Sequence, residues 1–231
     1  MLERLNWFEE ARYRLFIHWG LYAELGGIWD DRHYSQIQDW ADPDGDGNTW
    51  DFNPAKKDFE KYFYGKVKPH VKELLTNYGE IGMIWFDTPY DMPRRLCEEL
   101  EQFVHSIQPD CVINGRIGYG LGDYRQMGDN EIPVLAYHGA WETPMTLNNT
   151  WGYSKTDTCW KSPKCVIKML IDVVSKGGNL LINVGPDALG NIPQGSVDVL
   201  GKVGAWLKRN GESIYGTKPC ADFPYQMRWA A

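Results

Sequence analysis

The stretch Gly82-Met83-Ile84-Trp85-Phe86-Asp87 decides the expected fold, because it is a short apolar run that ends in a carboxylate. A helical pattern follows from about Pro93, with apolar residues at three- and four-residue spacing up to Ile107. A second short apolar run, Cys111–Asn114, comes directly after that helix. Strand, helix and strand in this order form the repeating unit of a parallel sheet, so the sequence predicts an α/β fold.

The same alternation extends over the rest of the chain. Further helices are predicted after Asn53-Pro54, Ser162-Pro163 and Pro193, where a proline or a capping residue suits the first turn. The candidate strands are Leu15–Trp19, His33–Ile37, Gly82–Phe86, Cys111–Asn114, Pro133–Tyr137 and Asn179–Val184. No repeat or low-complexity linker interrupts this pattern, so residues 1–217 are predicted to form one domain. Residues 218–231 are expected to be a tail or the start of a further region.

The composition argues against several classes of partner. The 231 residues carry a net charge of −7 and contain no basic stripe, so nucleic acid is not an expected partner. No stretch approaches the ~20 apolar residues that span a bilayer, and the N-terminus lacks the apolar core of a signal peptide. A soluble chain without a membrane partner is expected, and its compartment is left open. The five cysteines form no C-x-x-C pair and favour free thiols, with a Cys159–Cys165 disulfide as the open alternative.

Two carboxylates stand beside aromatic residues: Asp87 at the end of the first stretch, and Glu142 directly after Trp141. Glycoside hydrolysis needs one acid at the anomeric carbon and another that moves a proton, while aromatic faces hold the sugar. Eleven tryptophans suit such a site, although a tryptophan-rich core would also use them. The ordinary interpretation makes Asp87 a cap for the turn Thr88-Pro89-Tyr90 and Glu142 a surface acid.

The predicted strand ends collect several polar side chains. His18, Asp87, Asn114–Arg116 and Asn183 all fall at or just after a predicted strand end. Functional residues of parallel α/β folds gather at these ends. Glu142 is expected on a loop a few positions beyond its strand, where a proton donor would be placed.

Six short motifs in a fixed order carry a family resemblance: Phe16–Tyr22 (FIHWGLY), Ile84–Asp87 (IWFD), Asn114–Arg116 (NGR), Trp141–Thr143 (WET), Trp151–Tyr153 (WGY) and Asn183–Pro186 (NVGP). As a set they resemble the catalytic domain of the α-L-fucosidases of glycoside hydrolase family 29, from about Trp7 to Thr217. The resemblance implies a distorted (β/α)8-like barrel without a metal or other cofactor. It also implies an exo-acting, retaining hydrolysis of terminal α-L-fucosides through a covalent fucosyl-enzyme intermediate. A fucoside or fucosylated glycan is therefore the expected partner.

The resemblance also assigns roles to individual residues. Asp87 matches the nucleophile of the family, and Glu142 matches the acid/base. The substrate-binding set that it implies is Phe16, His18, Tyr34, Arg116, Trp141 and Trp151. Taken without the resemblance, Arg116 pairs equally well with Asp87 or Asp123, and His18 reads as a buried histidine bonded to backbone.

The chain departs from the family between its first strand and Tyr34. The family carries two further βα units there, with a tryptophan and a histidine pair that contact the sugar. Here Gly26–Arg32 leads almost directly into His33-Tyr34-Ser35. The barrel is therefore expected to be truncated to about six strands, with exposed edges that favour a homo-oligomer. An alternative function follows, in which the chain is an inactive relative that binds fucosylated glycan or serves as a scaffold.

Two further motifs suggest other sites. Asp42–Asn48 (DPDGDGN) resembles the first half of a calcium loop, but position 12 of that loop is Asn53 where a bidentate glutamate is needed. Gly118–Gly122 lacks the third glycine of a dinucleotide-binding turn, because an aspartate occupies that position. No cofactor or metal is therefore predicted. A metal-dependent hydrolase built on His18 and Asp87 is a third alternative, which no metal-ligand spacing in the sequence supports.

Overall fold

The computed structural model describes residues 3–20, 22–29, 31–33, 57–89 and 91–219. The α-helices in these ranges are α1 Asn6–Ala11, α2 Tyr22–Leu25, α3 Phe59–Tyr62, α4 Lys68–Asn77, α5 Arg94–Ile107, α6 Pro163–Ser175 and α7 Gln194–Asn210. The strands are β1 Tyr13–Ile17, β2 Ile28–Trp29, β3 Arg32–His33, β4 Met83–Ile84, β5 Val112–Ile113, β6 Arg125–Gln126, β7 Trp141–Thr146 and β8 Asn179–Val184. Among these described helices, none is long and apolar enough to cross a bilayer.

Several expectations fall outside the described ranges. Tyr34, the calcium-like stretch Asp42–Asn48 and the predicted helix start at Asn53 all lie there. Of the predicted strand His33–Ile37, only His33 is described. It belongs to β3, which pairs antiparallel with β2.

The chain divides into two compact units, which are described separately. The first unit contains Met1–Phe8, Phe52–Gln126 and Gly139–Trp141. The second unit contains Glu9–Asp51, Met127–His138 and Glu142–Ala231. The single catalytic domain over residues 1–217 stays a prediction.

The first unit is built on a strand–helix–strand segment that runs from Met83 to Ile113. β4 and β5 pair in parallel, and α5 connects them. One face of α5 is buried against residues of α4 and the segment before it, and this core includes Phe63, Val71, Leu75, Leu96, Leu100 and Val104. The predicted strand–helix–strand order and parallel pairing are therefore confirmed for this segment.

The long helix predicted from Asn53 to Tyr78 is interrupted in the structure. A π-helical turn, Phe63–Val67, separates α3 from α4. Pro69 is the second residue of α4, directly after this π-helical turn. The wider turn therefore lies where the missing N–H group of the proline disturbs the regular hydrogen-bond pattern.

A parallel sheet organises the second unit. β8 lies between β1 and β7 and pairs in parallel with both. In this register Asn183 is level with Phe16 of β1 and with Thr146 of β7. Every residue of β7 and β8 is buried, which is typical of central strands in a parallel sheet.

Helix α6 follows the capping pattern that its sequence predicts. The Ser162 hydroxyl accepts a hydrogen bond from the backbone N–H of Cys165 (3.2 Å), and Pro163 occupies the first turn. The buried face of α6, which packs towards β8, consists of Val166, Leu170, Val173 and Val174. The chain leaves this helix through Gly177, whose φ of 84° is readily adopted only by glycine.

The strand predicted at Pro133–Tyr137 is wrong. Val134 and Leu135 are 82% and 65% exposed, and the strand in this part of the chain is β7. The polar residues of β7 are buried with partners: the Thr143 hydroxyl donates to the Glu131 carbonyl, and the Thr146 N–H donates to Asn130 Oδ1 (2.9 Å). Apolar content pointed to the wrong segment because these hydrogen bonds compensate the burial of polar side chains.

The four described cysteines are all free, so the optional Cys159–Cys165 disulfide is not formed. Cys97 and Cys111 are buried, whereas Cys159 and Cys165 are exposed. Burial raises the pKa of the Cys111 thiol to about 11.

We predict that iodoacetamide alkylates Cys159 and Cys165 in the native protein, and Cys111 only after unfolding. The reactive thiolate of Cys111 is scarce at pH 8 because its pKa is raised, and the buried sulfur is also inaccessible. Mass spectrometry of peptides from native and guanidinium-treated samples checks this result. Since the pKa of the folded thiol lies above its ordinary value of 9.0, the contribution of Cys111 to stability is complete below about pH 9 and is lost towards pH 11. Equal alkylation of Cys111 and Cys159 in the native state would contradict the assignment.

Candidate active site

Asp87 follows β4 at the carboxyl end of this strand. Its Oδ1 atom accepts a hydrogen bond from Arg116 Nη1 (3.1 Å) and another from the backbone N–H of Thr88 (2.9 Å). Both of these hydrogen bonds are accepted by Oδ1, and neither involves Oδ2. The carboxylate, which is 39% exposed, is therefore oriented through one oxygen while the other is available for chemistry.

Arg116 is fixed between Asp87 and an indole ring. Its guanidinium carbon lies 5.1 Å from the centre of the Trp85 ring, within the range of a cation–π contact. Asp123, the alternative partner of Arg116, instead forms an ion pair with Arg4. Arg116 therefore pairs with Asp87 rather than with Asp123, and its role beside a nucleophile stays a prediction.

A buried amide holds the backbone just before Asp87. The Phe86 N–H donates to Asn114 Oδ1 (2.7 Å), and Asn114 Nδ2 donates to the Phe86 carbonyl (2.8 Å). Asn114 has 0% of its surface exposed. On the other side of Asp87, Thr88 has a φ of 48°, which a β-branched residue rarely adopts. The backbone around the carboxylate is therefore clamped before it and strained after it, as is often found at functional sites.

We predict that Asn114→Ala destabilises the protein by about 1–3 kcal/mol, because it leaves the N–H and C=O groups of Phe86 without their buried partner. Urea denaturation followed by circular dichroism measures the change. Asn77→Ala serves as the matched control, since this asparagine is an exposed residue of the same unit. A loss no larger for Asn114→Ala than for Asn77→Ala would show that the clamp contributes little.

In the second unit, three aromatic rings meet at the carboxyl ends of β1 and β8. The centre of the His18 ring lies 4.4 Å from that of Phe16 and 5.4 Å from that of Trp151. The backbone N–H of His18 donates to the Val184 carbonyl (2.9 Å), so the pairing of β1 with β8 extends by one residue. We call Phe16, His18, Trp151 and Asn183 the aromatic platform.

Asn183 sets the hydrogen bonding of His18. Its Nδ2 atom donates to the Trp151 carbonyl (2.6 Å), so its Oδ1 atom, 2.9 Å from His18 Nδ1, is the acceptor in that contact. His18 therefore carries a proton on Nδ1. In the neutral ring Nε2 is then an acceptor, which suits a hydroxyl group of a ligand.

A close backbone approach locks the turn that carries Trp151. A β-carbon on Gly185 would lie 2.6 Å from the carbonyl carbon of Gly152. A larger residue at position 185 would push the Trp151–Tyr153 turn away from the end of β8. Glycine is thus required for the packing of the aromatic platform.

The structure corrects the placement of Glu142. It is the second residue of β7 rather than a loop residue, and it is level with Asn179, the first residue of β8. Glu142 is fully buried and forms an ion pair with Arg14 near the start of β1. Asn183 lies four residues further along β8, about 13 Å away at ~3.3 Å per residue. Glu142 is therefore at the amino ends of these strands, opposite to the aromatic platform.

The position of Trp141 also differs from the one that its predicted role in substrate binding requires. Only 1% of its surface is exposed, so it offers no open ring face to a ligand. Its burial contradicts a direct sugar contact and indicates a packing role at the start of β7.

An acidic residue that sequence reasoning did not single out, Asp129, lies near the other edge of the sheet. Residues 127–130 run along β7: the Met127 N–H donates to the Glu142 carbonyl (2.8 Å), and the Asn130 N–H donates to the Pro144 carbonyl (2.9 Å). Asp129 itself is exposed. The sequence signal was an acid just after β6, but β6 is Arg125-Gln126 and no apolar run marks it.

Asn130 fixes the position of residues 127–130 along the direction of β7. Its Oδ1 atom accepts hydrogen bonds from the Thr146 N–H (2.9 Å) and the Thr146 hydroxyl (3.0 Å). Because Thr146 is level with Asn183 in the sheet, the Asp129–Asn130 turn lies at the level of the aromatic platform.

The predicted site residues thus divide between the two units. Asp87 and Arg116 belong to the first unit, while Phe16, His18 and Trp151 meet in the second. Over the described ranges, no group of three or more His, Cys, Asp or Glu residues is arranged to hold a metal ion.

In each unit, a candidate site residue lies at the carboxyl end of a parallel strand, which is where active sites of parallel α/β enzymes form. The family model described as alpha-L-fucosidase matches residues 33–212. The chain therefore belongs to the alpha-L-fucosidase family, and the resemblance carried by the sequence motifs is confirmed.

Relatives match over part of their length. Alpha-L-fucosidases of Dictyostelium discoideum and Branchiostoma floridae are 31% and 34% identical to this chain over 160 and 157 residues. The matches cover 64% and 63% of this chain but 34% and 35% of those relatives, so the chain spans about a third of their length.

Solved fucosidase structures share the fold. The alpha-L-fucosidase from Vibrio sp. strain EJY3 matches with a TM-score of 0.87 at 25% identity. The match covers 96% of this chain and 57% of the Vibrio chain. Alpha-L-fucosidase isoenzyme 1 from Paenibacillus thiaminolyticus matches with a TM-score of 0.78 at 28% identity, and the match covers 95% of this chain and 78% of the Paenibacillus chain.

Proposed function

We propose that the chain is the catalytic part of a retaining, exo-acting α-L-fucosidase. The observation that carries the proposal is Asp87, whose Oδ1 atom is bonded by Arg116 and Thr88 while Oδ2 is left for attack. In this mechanism Asp87 Oδ2 bonds to the anomeric carbon as the leaving oxygen departs with a proton. A second residue, the acid/base, supplies that proton and then deprotonates a water molecule. The water attacks the anomeric carbon, breaks its bond to Asp87 and releases fucose with retained configuration.

The aromatic platform is the proposed contact with the sugar. His18 Nε2 would accept a hydroxyl hydrogen, because Asn183 fixes the proton on Nδ1. The rings of Phe16 and Trp151 on either side of His18 suit the apolar faces of a sugar ring.

The proposed scaffold is a (β/α)8-like barrel. Its support is the parallel pairing of β1 with β8, the first and last strands in the described ranges, since a barrel closes where its first and last strands meet. The loss of two βα units and the homo-oligomer both stay predictions. Leu15 and Ile17 on β1 are 47% and 55% exposed, which supports a covering partner.

Two residues compete for the acid/base role. The resemblance favours Glu142, whereas the geometry favours Asp129. Glu142 is fully buried and paired with Arg14, while Asp129 is exposed and level with the aromatic platform. A proton donor must reach the leaving oxygen, so we propose Asp129 for this role and a structural role for Glu142.

We predict that Asp87→Ala abolishes the release of nitrophenol from an aryl α-L-fucoside. Nitrophenol is a good leaving group, so this reaction depends more on the nucleophile than on the proton donor. Added azide should restore turnover and yield fucosyl azide of inverted configuration. Asp91→Ala is the matched control, since Asp91 is an exposed acid of the same unit.

The same assay separates the proposal from its alternative. A folded parent that binds a fucoside without turnover, with binding retained in Asp87→Asn, would support the glycan-binding or scaffold function. The fucosidase proposal would then be wrong.

We predict that Asp129→Asn lowers kcat/KM by about 10²–10⁴ on fucosides with poor leaving groups, and much less on nitrophenyl fucoside. Azide should accelerate this variant and give fucosyl azide of retained configuration. Glu142→Gln should instead destabilise the fold by about 3–5 kcal/mol, because it removes the charge of a fully buried carboxylate that forms an ion pair with Arg14. Thermal unfolding and leaving-group series on both variants provide the measurement. Azide rescue of a well-folded Glu142→Gln variant, with none for Asp129→Asn, would reverse the assignment.

A further inference from the structure

Asp129 lies in a tight turn that contains a costly backbone conformation. The Glu131 N–H donates to the Gly128 carbonyl (3.3 Å) and closes the turn, with Asp129 and Asn130 at its two central positions. Asn130 has a φ of 54°, in the left-handed region, which asparagine adopts more readily than most residues but still at a cost. Such a conformation persists only where neighbouring groups hold it. The position of the Asp129 carboxyl group therefore depends on what fixes Asn130.

Two groups of Thr146, the last residue of β7, hold the Asn130 side chain. The backbone N–H of Thr146 lies 2.9 Å from Asn130 Oδ1, and the Thr146 hydroxyl lies 3.0 Å from the same atom. The Asn148 carbonyl, 2.7 Å from the hydroxyl, is a second acceptor within its reach. A hydroxyl has one hydrogen to donate, so it satisfies only one of these two acceptors at a time. A further donor to the Asn148 carbonyl would leave the hydroxyl hydrogen for Asn130.

Lys161 is that donor. Its Nζ atom lies 2.7 Å from the Thr146 carbonyl, 3.2 Å from the Thr146 hydroxyl oxygen and 3.3 Å from the Asn148 carbonyl. An ammonium group has three hydrogens and accepts none, so it matches these three oxygen atoms one to one. Because Lys161 donates to the hydroxyl oxygen and to the competing carbonyl, the hydroxyl hydrogen is directed to Asn130 Oδ1.

The lysine is fixed at the end of β7 rather than extended into solvent. Its backbone N–H donates to the Leu147 carbonyl (2.7 Å), directly after β7. Burial lowers the pKa of the Lys161 ammonium group, while Cys165 and Asp157 nearby act in the opposite direction. Hydrogen bonds to three oxygen atoms compensate the burial of this charge. The ammonium group therefore serves the protein itself, and no contact with a substrate is assigned to it.

We propose that Lys161 is a positioning residue of the fucosidase reaction, which acts through Thr146 and Asn130 to hold the Asp129 carboxyl group in place. The inference rests on the proposed function, in which Asp129 is the acid/base. In the first step the proton of Asp129 passes to the leaving oxygen as the bond from this oxygen to the anomeric carbon breaks. In the second step the Asp129 carboxylate takes a proton from the attacking water.

A displaced proton donor has a specific kinetic signature. An acidic phenol departs readily as an anion, whereas a basic leaving group needs the proton. The loss of activity therefore grows with the pKa of the leaving group when the donor is out of place. A general loosening of the fold, or weaker binding of fucose, lowers the rate by the same factor for every leaving group.

The test measures kcat/KM on a series of aryl α-L-fucosides, from dinitrophenyl to unsubstituted phenyl, in the parent and in Lys161→Met. This substitution removes the ammonium group and keeps most of the side-chain length. It should lower kcat/KM by about 10- to 100-fold on the phenyl fucoside and by less than about threefold on the dinitrophenyl fucoside. Lys164→Met is the matched control, since Lys164 is an exposed lysine of α6, and it should leave the whole series unchanged.

Thr146→Val tests the connection between Lys161 and Asn130. It removes the hydroxyl and keeps the shape of the side chain, so it should give the same dependence on the leaving group. The double variant should lose about as much as the larger single loss, because both substitutions break one chain of hydrogen bonds. Circular dichroism checks the fold of each variant, and Thr146→Val carries the test if Lys161→Met does not fold.

Losses that are equal across the series in Lys161→Met and in Thr146→Val would overturn the inference, and Lys161 would then only stabilise the loop after β7. Losses that multiply in the double variant would also overturn it. Asp129→Asn, measured in the same series, separates this failure from that of the proposed function. A parent without turnover, or an Asp129→Asn variant without dependence on the leaving group, would refute the proposed function itself, and the inference with it.

Discussion

The parallel register of β1, β8 and β7 determines which side chains of the second unit can meet. Asn183 is level with Phe16 on one side and Thr146 on the other, so one level of the sheet carries the aromatic platform and the Asp129 turn. Glu142 is held at the level of Asn179, at the other edge. A shift of one residue in this pairing would exchange the faces of every side chain in the strand, and the site would be lost.

Buried amides turn this register into a defined geometry. Asn114 bonds both the N–H and the C=O of Phe86, and Asn183 bonds the Trp151 carbonyl together with His18. An amide that is shielded from water must satisfy its donor and its acceptor within the protein, which leaves it one orientation. In each unit, a candidate site residue is therefore positioned by a buried asparagine: Asp87 by Asn114 through Phe86, and His18 by Asn183.

Sequence reasoning succeeded where burial is apolar and local. The strand–helix–strand around Gly82–Asp87, the strand Asn179–Val184 and the cap of α6 all follow from residues within a few positions of each other. It failed for β7, because the polar residues of this strand are buried through distant partners. Arg14, which pairs with Glu142, is 128 positions away, and no local pattern reveals it. Asp129 was missed for the same reason: its height is set by Asn130 and Thr146, not by an apolar strand before it.

The pairing of the first strand with the last has a consequence for biosynthesis. His18 and Asn183 are 165 positions apart, so β1 leaves the ribosome long before its neighbour exists. At ~5–20 residues per second the delay is roughly ten to thirty seconds, during which the strand has an unsatisfied edge and bare apolar side chains. Contacts of such long range also slow folding itself. A nascent chain of this architecture therefore exposes the apolar side chains of β1 until β8 has been synthesised.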